Sequence, residues 1–470
     1  MGSASPPAEH RRRLVSLAYP VYFELLAGVT AGIINMIWVA RLGGAAVAAV
    51  AVATNVENLL LGVILMAGSG TTVLLARARG ARDRAAVRSA VRGGLALWAL
   101  ITPVVAVGGY LCREPLARLV LGGGESDALA LATGYFAIAL PGTAVYFATN
   151  VVDGILKGAG DTRTPMRLAL LANGLILALD PLFIMGLGLG VRGAAIATVL
   201  GRSAALLCGL AALRRNDVLR AAFGERGSAR RPGADARRTA ATGFPMAADF
   251  VVRMTGALAL VAVVARIGVG EVAAYGIATK AMYLATMAFY SVRQAAAIHT
   301  AHLLGAGRDE RRAIGRQALC IAGALGLTAA LLLLVAGPWI MRGFGADGEV
   351  ADAGALYLRC LGPYLVLLAC FIALGGVFEG SGGSPALVRI TAGGVAVQLV
   401  FAYALSGMGL PGICLAMAGS MALQCAAVGR LHRRTERPSA RRLKRAAGSG
   451  ASRVRPVRPV RPVRRRGGRW

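Results

Sequence analysis

The sequence predicts an all-α polytopic membrane protein with twelve transmembrane helices in two pseudo-symmetric six-helix lobes. Three observations carry that expectation. Of 470 residues, 56% are hydrophobic and only 16% charged, and the mean hydropathy is +0.63; soluble domains carry about 25% charged residues. Apolar runs of about 20 residues, the length that crosses a bilayer, recur between charged or Gly/Pro-rich breaks. The second half of the chain also repeats the first.

The runs place the spans near 14–38, 46–75, 93–112, 128–150, 166–187, 191–213, 243–266, 272–297, 317–341, 352–376, 386–406 and 410–430. The first follows His10-Arg-Arg-Arg13, is long enough to span and shows no small-residue cleavage site, so it is expected to stay in the mature protein rather than act as a signal peptide. The organisation is then a cytoplasmic N-terminus at 1–13, one lobe at 14–213, an Arg/Gly/Ala/Ser-rich linker at 214–242, a second lobe at 243–430 and a basic tail at 431–470. The tail carries Val-Arg-Pro repeats and no apolar period, so it is expected to be disordered. Attraction to anionic lipid suits it better than nucleic-acid binding.

The formal charge of +30 is distributed as a membrane protein distributes it. Basic residues crowd the N-terminus, 77–92, 157–167, 214–238, 308–316 and the tail, whereas the loops of the other face hold Glu114, Glu125, Asp127, Asp347, Glu349 and Asp352. The positive-inside rule puts both termini in the cytoplasm, as an even number of spans requires, and the chain in the cell membrane. Specific nucleic-acid binding is not expected. Seven cysteines lie in or at the ends of spans with no C-x-x-C and no histidine at ligand spacing, so no metal or redox cofactor is expected. Gly186-x-Gly188-x-Gly190 and Gly68-x-Gly70 lack a following P-loop lysine and read as turns and close helix contacts.

The repeat is visible at an offset of 225. It lays Pro20 on Pro245, the stretch 40–54 on 265–279, and Ala76, Gly80 and Ala81 on Ala301, Gly305 and Ala306. Further along, Gly158-Ala-Gly160 matches Gly380-Ser-Gly382 at 222, and Gly190-x-x-Gly193 matches Gly409-x-x-Gly412 at 219. Because each half holds an even number of spans, the halves are parallel and related by an axis along the membrane normal. Two such bundles flanking a central cleft suit alternating access.

Ionisable residues within spans are the candidates for function, since a charge at bilayer depth costs roughly 2.5–3.5 kcal/mol even on the lenient insertion scale. Asp180 is the first, deep in its span and followed by Pro181, which removes a backbone donor and loosens the helix there. It reads either as a proton-coupling group or as a structural, hydrogen-bonded aspartate. Asn173, two turns earlier on the same face, could line its cavity. Glu24 and Asp249 each lie four residues after a repeated proline, facing a cavity or solvated near the interface. Glu57 and Lys280 sit in corresponding parts of the second and eighth spans, either facing the cleft or paired locally. Asp249 and Arg253 have the spacing of a helical ion pair, and Arg293 completes the set.

Five motifs together resemble the multidrug and toxic compound extrusion (MATE) transporters: Arg41-Leu-Gly43, Leu-Leu-Ala-Arg-Ala-Arg-Gly-Ala at 74–81, Lys157-Gly-Ala-Gly-Asp-Thr-Arg-Thr-Pro165, Leu179-Asp-Pro-Leu-Phe183 and Gly193-Ala-Ala-Ile-Ala-Thr198. The resemblance covers positions 14–430. It implies a two-lobe antiporter that expels organic, amphipathic or cationic compounds against a proton or sodium gradient, with no cofactor beyond the coupling ion. Asp180 matches the helix-five aspartate of the DinF-like branch, and Thr198 and Tyr135 fall where that branch has polar cavity residues. Two positions depart from the pattern: Asn35 stands where the family has an aspartate, and Ile176 where it has an asparagine. With two oxygen ligands fewer, proton coupling is expected over sodium. The chain is expected to work as a monomer in contact with membrane lipid and small organic substrates. A lipid-linked oligosaccharide flippase of the same superfamily would want a more basic cavity than Lys280 and Arg293 offer, and a membrane-embedded transferase would want a His/Asp or Asp/Asp cluster at a span edge.

Overall fold

The structure, a computed structural model, describes residues 6–121, 126–223, 232–343 and 348–435. The first half contains α1 (Pro7–Ala40), α2 (Gly44–Gly80), α3 (Arg84–Leu111), the short α4 (Arg113–Leu121), α5 (Ser126–Gly158), α6 (Arg163–Pro181) and α7 (Gly190–Arg215). A short α8 (Asp217–Phe223) leads to the second half, α9 (Pro232–Val264), α10 (Val269–Gly305), α11 (Arg311–Gly343), α12 (Gly348–Cys360), α13 (Gly362–Ser381), α14 (Ser384–Ala404) and α15 (Leu410–Thr435). Among the described residues twelve helices are long and apolar enough to cross a membrane. Packing divides the chain into Met1–Val428 and Gly429–Trp470, and the described part of the latter is the last turns of α15. The predicted linker thus includes α8 and the first turns of α9, while tail residues 436–470 and the acids Glu125 and Asp347 lie outside the described residues.

Local chemistry sets the helix ends. Asp83 caps α3 by accepting from the Ala86 amide at 3.0 Å, a contact that satisfies one of the free amides of the first turn. Gly43 takes φ +103 before α2 and Gly382 takes φ +84 after α13, conformations that cost a side-chain-bearing residue more than glycine. One expected span needs correcting. The run at 352–376 divides at Leu361 into α12 and α13, because Gly362-Pro363 removes a donor and weakens the helix at the same point. The equivalent Leu140-Pro141 lies inside the unbroken α5, so proline alone does not break the helix.

Within the first half α2 packs on α5, α5 on α3 and α7, and α6 on α1 and α7; within the second, α10 and α11 pack on α13 and α9 on α14. The internal repeat is written in the backbone contacts. A Cβ added at Gly154 would meet the carbonyl oxygen of Gly68, and one at Gly376 would meet that of Arg293, the same contact 222 and 225 residues later. Small residues let these helices approach backbone to backbone, as membrane helices commonly do. The hydroxyl of Ser420 donates to the Gly394 carbonyl at 2.6 Å, where the first half packs Gly201 on the Ala172 carbonyl.

The halves meet through α1, α2 and α3 on one side and α9 and α10 on the other. At their basic ends the pseudo-axis is explicit. Gly80 abuts the His302 carbonyl, and Gly305 abuts the Arg77 carbonyl, each pair the image of the other at offset 225. Around this crossing His10 Nδ1 lies 3.0 Å from His299 Nε2, and Arg79 Nε donates to His302 Nδ1 at 3.3 Å. Gly243 of α9 rests on the Met66 carbonyl of α2 one layer deeper. The lobes are therefore sealed at the basic end.

Candidate functional site

The least exposed carboxylate of the first lobe sits where a helix changes its winding. Pro181 ends α6, and Leu182–Gly186 continue as a π-helical turn. A proline lacks the donor that would bond the carbonyl four residues back, so the ladder cannot close normally there, and π turns concentrate at functional sites. Asp180, in the last turn before this change, is 0% exposed.

Its oxygens are treated unequally. Oδ2 accepts a 2.8 Å hydrogen bond from Nδ2 of Asn35 on α1, while Oδ1, also buried, has no hydrogen-bond partner. Asn35 occupies the position that departs from the family pattern, and it is still the residue that touches Asp180. An amide there positions the carboxyl without adding a second negative charge.

Tyr135 of α5 connects this group to a second acid. Its ring is buried, its hydroxyl hydrogen-bonds Glu57 of α2, and it lies within electrostatic range of Asp180. The Arg202 guanidinium of α7 is close enough to act on Glu57 and sits 4.0 Å from the centre of the Tyr146 ring. Asn35, Glu57, Tyr135, Asp180 and Arg202 thus bring α1, α2, α5, α6 and α7 together at one polar site. Thr198 is half-buried one turn before Arg202 on the same helix. Arg202 escaped the sequence reading, although an arginine inside an apolar span was a signal of the same kind as Asp180.

The remaining candidates fall elsewhere. Asn173 donates to the Ala169 carbonyl of its own helix at 2.8 Å. Glu24 pairs with Lys157 of α5 at 2.7 Å, with Asp153 of the same helix beside both. Asp249, 1% exposed, accepts from Thr391 at 2.6 Å, from Arg293 at 2.7 Å and from Arg253 one turn on. Arg293 reaches across to Glu379 of α13 at 2.6 Å. Glu24 and Asp249 are thereby held in ion pairs, the first partly buried and the second buried. The pairs are cousins: offset 222 lays Lys157 on Glu379, so the first lobe joins acid to lysine directly while the second inserts Arg293 between two acids. That reversal at a repeated position was the missed signal for Lys157 and Glu379. Lys280 is exposed, as is Asn55 at its equivalent position in α2. Among the described residues no cluster of three or more His, Cys, Asp or Glu side chains could hold a metal ion.

Two matched helical bundles, joined at one end and carrying buried charged sites between their helices, define a secondary-transporter architecture. The MatE family model matches residues 20–182 and 245–404, one segment per half. The chain belongs to this family of multidrug efflux transporters and is a transporter rather than an enzyme. It is 26% identical over 393 residues, 82% of each chain, to a probable multidrug resistance protein NorM of Thermotoga maritima. It is 31% identical over 46% of each chain to DNA damage-inducible protein F of Escherichia coli. A multidrug resistance MATE transporter of the MOP superfamily solved in an outward-facing conformation superimposes with TM-score 0.84 at 23% identity, over 91% of this chain and 96% of its own.

Proposed function

We propose that this protein exports organic, amphipathic or cationic compounds in exchange for protons, by alternating access of a cleft between its two lobes. The observation that carries the coupling role is Asp180: a fully buried carboxyl with one oxygen held by Asn35 and the other without a partner. A carboxyl in that state can take a proton on Oδ1 without losing an existing bond. Sodium, in contrast, asks for several oxygen ligands, and Ile176 contributes none. Glu57, hydrogen-bonded to a tyrosine that lies within electrostatic range of Asp180, is the second acid of the site, with Thr198 on its flank.

The basic end, where the lobes are sealed, faces the cytoplasm in this reading, which places both termini inside and the cleft open outward. It rests on the distribution of arginines and acids along the loops. The protein works as a monomer in the cell membrane.

The test is drug efflux from proteoliposomes under an imposed pH gradient, wild type against Asp180→Asn. Proton-driven efflux is expected to disappear in the variant while drug binding persists. Undiminished proton-driven efflux would remove Asp180 from the mechanism. A parallel run with a sodium gradient alone is expected to drive no transport.

A further inference from the structure

The seam between the lobes is symmetric in its backbone but not in what fills its flanks. On one flank His10 of α1 lies 3.0 Å from His299 of α10 and 2.8 Å from Glu310 just before α11, and these three side chains close the seam. At offset 225 the images of His10, His299 and Glu310 are Asp235, Leu74 and Ala85. Leu74 and Ala85 cannot form the knot with Asp235, and a cavity of about 330 Å³ remains between α2, α3, α9 and α10.

The charged residues of its lining are two acids and two arginines, and the acids are the engaged pair. Of its two acids, Asp83 is engaged in capping α3, and Asp235 accepts from Ser89 at 2.5 Å and faces Arg92 at 3.6 Å. Arg77 and Arg238 line the cavity, are exposed, and pair with no acid among the described residues. The rest of the wall mixes the hydroxyls of Ser89 and Thr239 with apolar Leu74, Ala86 and Leu304. An arginine pair forks readily onto phosphate oxygens, and basic pockets between transmembrane helices suit anionic headgroups.

We propose that this cavity binds the phosphate headgroup of an anionic phospholipid. Leu74, Ala86 and Leu304 offer apolar surface to the glycerol and acyl chains, which favours a lipid over free phosphate. The Arg77 carbonyl also contacts Gly305 across the seam, so a headgroup held by Arg77 and Arg238 touches both lobes at once and favours the state sealed at this end. Lipid binding itself is independent of the membrane orientation proposed above and of the coupling role of Asp180.

The test is thermal unfolding of the full chain purified in detergent and titrated separately with phosphatidylglycerol, phosphatidylcholine and inorganic phosphate. Phosphatidylglycerol is expected to raise the Tm of the wild type and of Arg389→Gln, which removes an exposed charge from α14. Phosphatidylcholine is expected to have little effect. The shift should fall at least twofold in Arg77→Gln/Arg238→Gln and in Ala86→Phe, which fills the cavity with both arginines kept. If the double variant does not fold, Ala86→Phe decides. An undiminished shift in the variants overturns the site, and an equal shift with inorganic phosphate overturns the lipid as its ligand.

Discussion

The amide of Asn35 donates to one oxygen of Asp180 at 2.8 Å and leaves the other without a partner. An aspartate at position 35 would instead set two carboxylates side by side and replace the amide nitrogen with a second oxygen. Under the proton coupling proposed above, Asn35→Asp is expected to make efflux respond to a sodium gradient where the wild type does not. Asn35→Leu leaves Asp180 buried with neither oxygen bonded and is expected to cost about 1–3 kcal/mol of stability. Unfolding in detergent and sodium-driven efflux from vesicles check the two substitutions separately.

The paired contacts Gly80 with the His302 carbonyl and Gly305 with the Arg77 carbonyl leave no room for a side chain. Gly80→Val or Gly305→Val should therefore hold the basic ends apart without disturbing either lobe's own packing. Efflux is expected to fall tenfold or more while the protein folds and inserts. Spin labels on α2 and α10 at the basic end would report a longer interlobe distance, and an unchanged distance would show that the seam tolerates the methyls.

Arg293 bridges Asp249 and Glu379 in a buried network. Removing one member of such a network strands a charge, at a cost of roughly 3–5 kcal/mol. Arg293→Met is expected to be that destabilising, whereas Arg293→Met/Glu379→Met should recover much of the loss, since Arg253 remains to pair Asp249. The double variant's unfolding midpoint decides between a bridging role and simple packing.

Outside the spans, Asp309 accepts from Arg311 at 2.8 and 2.7 Å, and that bonding holds its carboxyl below the usual aspartate value. A depressed value contributes stability above the ordinary aspartate range, near pH 3.9, and that stability is lost as pH falls through the folded-state value. The side chain is 58% exposed, so solvent screening limits the effect to about 0–1 kcal/mol. Asp309→Asn is expected to flatten the acid limb of a stability–pH profile slightly and to leave efflux near neutral pH unchanged.

Much of the architecture was legible because membrane burial imposes long apolar runs, and a duplicated chain repeats its prolines and glycines in register. Pro20 and Pro245, and Gly80 and Gly305, marked the repeat before any contact was known. The division of α12 from α13 was not legible, since Pro141 shows that the same proline can sit in an unbroken helix. Nor was the identity of Asp180's neighbour. Asn35 looked like the loss of a ligand because sequence spacing reveals which face a residue occupies, not which side chain reaches across from another helix. The ion pairs of Glu24 with Lys157 and of Arg293 with Asp249 and Glu379 were hidden for the same reason, the partners lying far apart in sequence.

Pro181 gives the site its mechanical setting, because its missing amide proton leaves the Leu177 carbonyl without the usual donor and the chain continues as a π turn over Leu182–Gly186. Pro181→Ala restores that donor. An alanine there should let α6 run on with ordinary winding, rotating the residues after 181 relative to α1 while leaving Asp180 beside Asn35. If the altered winding is what lets Asp180 change its surroundings as the lobes rock, the variant should still bind drug but turn over several-fold more slowly. Equal binding and equal turnover would reduce Pro181 to a helix terminator; weakened binding would instead place the π turn in the substrate cavity.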